Sequence, residues 1–422
     1  MKRLVVCCDG TWKAENSSTV SNIVKIAQTV RMEAPGPSGS SIRQQVIYVS
    51  GPGARGFTAD RLIGGAFGLG LEANLSAAYW QLAVNWEPGD EIFVFGFSRG
   101  AYTARSLVGL IDRIGIMSPS SMIGGHYPTA LGMYRRLGGK RLGNRKSPPT
   151  DDEWADFRAA HSRLVPVDFL GVFDTVGALG VPGVTSWRHS FHNVKLSEWV
   201  LCARQALALD ERRRNFEPCL WQVPVPVRVK HRRIKRRGRR ERVKQVWFAG
   251  VHSDIGGGYE QCGLSDATFR WMVAEAQAEG LVFDDALVAF LTRRCAAIDQ
   301  HSMLHDSLGL GYRVLNVART LRSLRNRRSR FYWNSWRKLA VEQDHGVRLA
   351  STVTADRSYQ PSNLRRWRAD LGGYVPADLI EPIPAVPPPL PPNGDGGSHP
   401  ASPAGRPHSR ARAPGILIDE RS

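Results

Sequence analysis

Along the first 300 positions the apolar residues follow two alternating rhythms. Short runs rich in β-branched and aromatic residues, Leu4–Cys8, Gln45–Ser50, Glu91–Phe97, Val167–Phe173 and Val243–Ala249, have the length and content of strands. Three of them are nearly continuous apolar stretches, the form a strand takes when both faces are covered. Between the runs, apolar positions recur every three or four residues over Ser21–Arg31, Leu71–Trp86, Ala101–Arg113, Leu196–Glu211, Ser265–Glu279 and Asp284–Ala297, which predicts helices. This alternation predicts an α/β protein: a mainly parallel sheet with helices on both faces. The stretch from Pro119 to Trp154, rich in Gly, Pro and basic residues, reads as a long loop or lid-like insertion.

The rhythm stops near Pro382. The segment PIPAVPPPLPPNGDGGSHPASPAGRPHSRARAPG holds eleven of the 26 prolines and too little apolar surface to fold, so a disordered C-terminal tail is expected. The 422 residues suffice for one large domain of about 250 to 300 residues with appendages. The expected division is an α/β domain over 1–318 carrying a basic insertion at 228–244, a basic, aromatic helical extension over 319–381, and the tail over 382–422. No run of about 18 apolar residues occurs, and the opening MKRLVVCCDG is interrupted too early by Asp9 for a secretory leader. A cytoplasmic protein is expected, with export that needs no cleavable leader left open. Six scattered cysteines show no C-x-x-C spacing, which argues for buried thiols rather than a zinc site or redox pair.

Charge changes the picture through its placement. Of the net +19, residues 228–244 supply +10 and residues 319–338 supply +8, so two basic patches sit on a nearly neutral body. The first directly precedes a predicted strand and is expected to protrude as a hairpin or loop. The second interleaves arginines with Leu321, Leu324, Phe331, Tyr332, Trp333 and Trp336 at helical spacing, the pattern of an interfacial helix or of a helix docked on its own domain. Either patch suits an anionic membrane surface; nucleic acid is disfavoured, since no recognised binding signature accompanies the charge.

The candidate chemistry begins at Gly96-Phe97-Ser98-Arg99-Gly100, a G-x-S-x-G between a predicted strand and a predicted helix. Such a turn needs glycines because side chains would collide there, and it lifts a serine hydroxyl off the end of a sheet. Arg99 follows the serine, and its backbone N–H at a helix start is placed to stabilise an oxyanion. A serine nucleophile needs a base steadied by a carboxylate, in the chain order Ser, Asp, His. Asp174 follows the strand VPVDFLGVF, and His252 follows VWFAGV. His161, His301 and His305 compete for the base role, but none follows so clear a strand. The loop Asp9-Gly10-Thr11 after the first strand offers Gly10 and Thr11 as further oxyanion donors, or else Asp9 simply caps the next helix. Asp9 and Asp254 are the candidate substrate-contacting groups. Gly51-Pro52-Gly53-Ala54-Arg55-Gly56 fits G-x-G-x-x-G, but Pro52 and the lack of a following helix disfavour a dinucleotide site.

The segments CCDGTW, SNIVKIA, GFSRGAYTARSL, FLGVFDTVGALG, ALALDERRRNFEP and VWFAGVHSDIGGGY together resemble the bacterial α/β-hydrolase family called domain of unknown function 2235. That family includes catalytic domains of some type VI secretion phospholipase effectors. The resemblance covers roughly residues 1–280. It implies an α/β-hydrolase fold, a triad of Ser98, Asp174 and His252, and an ester or phospholipid substrate, with no cofactor. Two alternatives stay open at this stage: a metal-dependent phosphoesterase using Asp9, His252 and Asp254, and a catalytically silent fold whose basic patches bind nucleic acid or another anionic surface. Acyl length, regiochemistry and oligomeric state are not legible.

Overall fold

The structure, a computed structural model, describes residues 1–10, 19–36, 39–51, 66–137, 147–176, 196–213, 216, 218–222, 241–293, 304–307, 332–333, 336–339, 346–355, 358–373 and 375–385. The chain opens with β1 (Lys2–Cys8), α1 (Asn22–Thr29), β2 (Glu33–Pro35), β3 (Ser41–Val49), α2 (Ala66–Asn85), β4 (Glu91–Phe97) and α3 (Arg99–Ile114). It continues through β5 (Ile116–Met117), α4 (Pro119–Ile123), α5 (Tyr127–Arg136), α6 (Asp151–His161), β6 (Ser162–Arg163), β7 (Phe169–Phe173), β8 (Ala203–Ala208) and β9 (Val243–Phe248). There follow α7 (His252–Gly256), α8 (Gly263–Ala278), α9 (Asp285–Arg293), β10 (Tyr332–Trp333), β11 (Trp336–Arg337), β12 (Val347–Ala350), α10 (Ser351–Ala355), α11 (Ser362–Asp370) and β13 (Ile380–Glu381).

Nine strands form one sheet in the order β13-β12-β9-β8-β7-β4-β1-β3-β2. Every pairing in it is parallel except that of β2 with β3. β1 is third from the β2 rim, flanked by β3 and β4, with Val5 opposite Val46 on one side and Phe93 on the other. Alternation along β1 sends Leu4, Val6 and Cys8 into one core and Val5 and Cys7 into the other. The first core packs Leu75, Tyr79 and Leu82 of α2, Leu107 and Ile111 of α3 and Trp154 of α6 against the sheet. The second packs Ile23 and Ile26 of α1, Phe269 and Trp271 of α8 and Leu364 of α11. Two cores covering two faces explain why the central strands show no polar side in the sequence.

Several expectations need correction. Leu196–Glu211 is not a helix: its centre is β8, all six residues buried between β7 and β9. Its residues, ARQALA, are good helix formers, yet its backbone is the only bridge between two strands, and tertiary pairing overrides propensity. Pro119–Trp154 is no simple loop, since α4, α5 and the start of α6 lie in it, with Tyr127, Leu131 and Tyr134 in the core. Thr150 opens α6 with a capping box, its hydroxyl accepting from Glu153 N while the Glu153 carboxylate accepts from Thr150 N. Of the extension over 319–381, the described part holds β10–β13, α10 and α11, and β12 pairs with β9 to widen the main sheet. Met1–Val386 is one compact unit. Cys7, Cys8 and Cys202 are buried thiols, whereas Cys262 is disulfide-bonded. The core of the basic insertion (223–240), most of 319–338, the glycine-rich residues 52–56 and the tail from 386 lie outside the described residues.

Candidate active site

β4 runs straight into α3, and the residue at the junction carries the strain. Ser98 has φ 57° and ψ −118°, a conformation that costs a non-glycine residue roughly 1–3 kcal/mol. Close packing enforces it. A Cβ at Gly100 would lie 2.1 Å from the Cys8 carbonyl oxygen of β1, and one at Gly96 would lie 2.6 Å from Ala101 Cα. Both glycines are there to let the helix start against the strands. Ser98 N–H donates to the Phe173 carbonyl at 3.1 Å, which ties the turn to the end of β7.

The next residue beyond β7 is Asp174, also left-handed at φ 35° and fully buried. α7 begins at His252, four residues past β9. His252 Nε2 lies 2.8 Å from Ser98 Oγ, and His252 Nδ1 lies 2.6 Å from Asp174 Oδ2. The imidazole packs against two aromatic rings, Phe97 at 4.8 Å and Phe216, edge-on, at 4.9 Å between centroids. Its backbone N–H donates to Glu211 Oε2 at 3.2 Å, and Glu211 is itself gripped by Arg213 through bonds of 2.9 and 2.8 Å. The arrangement can do what an isolated serine cannot: a buried carboxylate orients an imidazole, whose other nitrogen faces the hydroxyl.

Asp174 has two further partners. Ala208 N–H of β8 donates to Oδ1 at 3.0 Å, and Arg337 of β11 reaches both oxygens, Nη1 to Oδ1 at 2.6 Å and Nη2 to Oδ2 at 3.1 Å. Burial opposes the charged form, but the Arg337 guanidinium and the His252 bond outweigh it and hold the carboxyl well below the usual carboxylate range. Sequence reasoning missed Arg337, which reads there as one of eight charges in a basic patch. No signal short of a three-dimensional contact across 163 positions could have singled it out.

The remaining candidates are placed differently. Asp9 is buried at the end of β1, its oxygens taken by Ser21 Oγ at 2.8 Å, Tyr48 Oη at 2.7 Å and the Gly10 N–H at 2.6 Å. It braces α1 and β3 around the turn, and the Gly10 N–H that was to serve an oxyanion is committed to it. Thr11 lies outside the described residues. The Arg99 N–H stands at the first turn of α3, beside Ser98. Asp254 is buried in α7, accepting from Val251 N at 3.0 Å and lying 2.7 Å from His305 Nδ1, so it faces the protein rather than a substrate. Of the rival bases, His305 is thus occupied with Asp254, His161 stacks on His126 at the end of α6, and His301 is outside the described residues. Among the described residues no three His, Cys, Asp or Glu side chains converge as they would around a metal ion, which removes the geometric basis for joining Asp9, His252 and Asp254 in a metal site.

A mainly parallel sheet bearing a serine at a strained strand-to-helix turn, with an aspartate beyond the end of the adjacent strand and a histidine beyond the strand two places further on, has the form of an α/β-hydrolase fold. Residues 2–275 match the family described as the type VI secretion phospholipase effector Tle1-like catalytic domain, and the chain belongs to that family. It is 28% identical over 247 residues to the uncharacterized protein YEL023C of Saccharomyces cerevisiae, an alignment covering 53% of this chain and 33% of the yeast protein. Among solved structures it is similar to the Tle1 effector bound to the VgrG spike of the type 6 secretion system, with 18% identity, TM-score 0.34, and coverage of 61% of this chain and 51% of that one. It is also similar to an uncharacterized protein from Pseudomonas aeruginosa, with 15% identity, TM-score 0.37, and coverage of 88% and 62%. The chain thus spans a third of the yeast relative and about half to three-fifths of the two solved chains.

Proposed function

We propose that the protein is a serine hydrolase that cleaves carboxylic esters of lipids, with phospholipids as the substrate class. The observation that carries this reading is the hydrogen-bonded series Ser98–His252–Asp174, assembled from the ends of three parallel strands. Family membership supplies the lipid substrate class. Ser98 Oγ attacks the ester carbonyl as its proton passes to His252 Nε2, and Asp174 steadies the imidazolium that forms. The negative charge on the carbonyl oxygen is met by the Arg99 N–H at the helix start. His252 then gives its proton to the departing alcohol oxygen, leaving an acyl group on Ser98. Water, deprotonated by the same imidazole, releases the fatty acid and restores the serine. The two basic segments would hold the enzyme to anionic headgroups, an attraction that salt weakens. No helix among the described residues is long and apolar enough to cross a membrane.

The test is Ser98→Ala assayed on phosphatidylglycerol and phosphatidylcholine vesicles at low and high salt, beside labelling by a fluorophosphonate. The expected outcome is loss of labelling and a fall in ester turnover of about 10³-fold or more with an unchanged fold. A Ser98→Ala chain that hydrolyses lipid as fast as the parent would rule the reading out.

A further inference from the structure

The matched family domain ends at residue 275, yet the most enclosed charge beside Asp174 comes from 62 residues beyond it. Arg337 has no solvent exposure. Its two terminal nitrogens form a fork on the two oxygens of Asp174, and Nη1 also donates to the Ala208 carbonyl at 2.8 Å and Nη2 to the Phe216 carbonyl. Phe216 is the residue whose ring flanks His252, so one guanidinium touches both the carboxylate that orients the imidazole and the backbone that carries its aromatic wall.

The guanidinium is delivered by a firmly anchored segment. Asn363 of α11 donates to the Arg337 carbonyl at 3.2 Å and to the Leu209 carbonyl at 2.9 Å, stitching β11 to the end of β8. Beside it, Trp336 is covered by the Arg212 guanidinium at 4.9 Å. Farther along, β12 extends the sheet from β9, and Glu381 of β13 pairs with Lys244 at 2.6 Å and Arg348 at 2.6 Å. A carboxylate sealed from water is costly without an opposing charge, and the extension supplies that charge in bidentate form.

We propose that Arg337 is a positioning residue of the hydrolytic site, and that the C-terminal extension completes that site by holding Asp174 ionised and oriented so that His252 stays aimed at Ser98. This rests on the serine hydrolase reading above. Arg337 does not touch substrate; it acts through Asp174. The charged groups around the pair are Arg337 on Asp174, and Glu211 with Arg213 on the backbone side of His252.

The test uses the full chain and three variants, Arg337→Met, Asp174→Asn and the double variant, with Ser98→Ala as the reference for the reaction itself. For Arg337→Met, kcat is expected to fall about 10²-fold, the cost of a misplaced catalytic group, with KM nearly unchanged. The acid limb of its kcat/KM profile is expected to move to higher pH, because a pair stripped of a neighbouring positive charge keeps its proton longer. A merely structural arginine would lower the amount of folded enzyme without moving that limb. Should Arg337→Met not fold, the pair Asp174→Asn and Asp174→Asn/Arg337→Met decides, since the double variant leaves no orphaned buried charge. Equal kcat in these two is the expected result, because the carboxylate through which Arg337 acts is already gone. An unaltered kcat and pH profile in folded Arg337→Met, or a further loss of about tenfold or more in the double variant relative to Asp174→Asn, would overturn the proposal. If instead Ser98→Ala retains activity, the hydrolase reading fails independently of what Arg337 does.

Discussion

Three residues of the candidate site, Ser98, Asp174 and His252, can be read from the sequence because each follows directly on an apolar run, and the end of a strand is a local signal. Arg337 cannot, because its meaning depends on a partner far away in the chain. The stability of the folded protein should report that partnership. The folded pKa of Asp174 lies below its unfolded value near 3.8, where burial is outweighed by Arg337 and His252. Its stabilising contribution is therefore complete above that value and is lost as pH falls below it. At neutral pH Asp174→Asn leaves Arg337 buried without its counter-charge, and a loss of about 3–5 kcal/mol in urea unfolding is expected. The gap between the two proteins should narrow as the pH drops from about 5 towards 2. A constant gap across that range would show that Asp174 is not held ionised in the fold.

Elements were legible where one physical signal dominated. β4 is legible to the residue, since an apolar run closed by glycines leaves few alternatives. β8 is not legible because Arg204 and Gln205 look like solvent-facing helix positions, whereas both are buried and satisfied. Arg204 pairs with Glu275 and with backbone carbonyls, and Gln205 donates to the Cys219 carbonyl at 3.1 Å. α4 and α5 were hidden by the glycines and prolines around them; Pro119 and Pro128 lie in the first turns, where proline starts a helix rather than breaking it. The junction of β4 and α3 allows a direct test of element packing. Gly100→Ala would push a methyl group into the β1 backbone at Cys8, a contact no side-chain rotation relieves. The expected loss is about 3 kcal/mol, the upper end for overpacking, together with loss of fluorophosphonate labelling. An unfolding midpoint and labelling rate equal to the parent's would show that the turn has room to spare.

Across the whole molecule, the layered α/β architecture followed from alternating rhythms alone, while the contribution of the C-terminal region did not. Its basic composition suggested an appendage, but in the structure it adds strands to the sheet and an arginine to the site. The two rims of the sheet are short. β2 has three residues and ends in Pro35, which has no amide hydrogen to offer, and β13 has only two residues. A second molecule therefore finds little backbone at either rim on which to template itself, and the nine strands are guarded against edge-to-edge aggregation. Ending the chain after residue 346 would strip β12 and β13 away and bare β9, six residues of ready-made pairing surface. Light scattering during slow heating should then rise well before it does for the intact chain, and matching traces would mean that the rim needs no such cover.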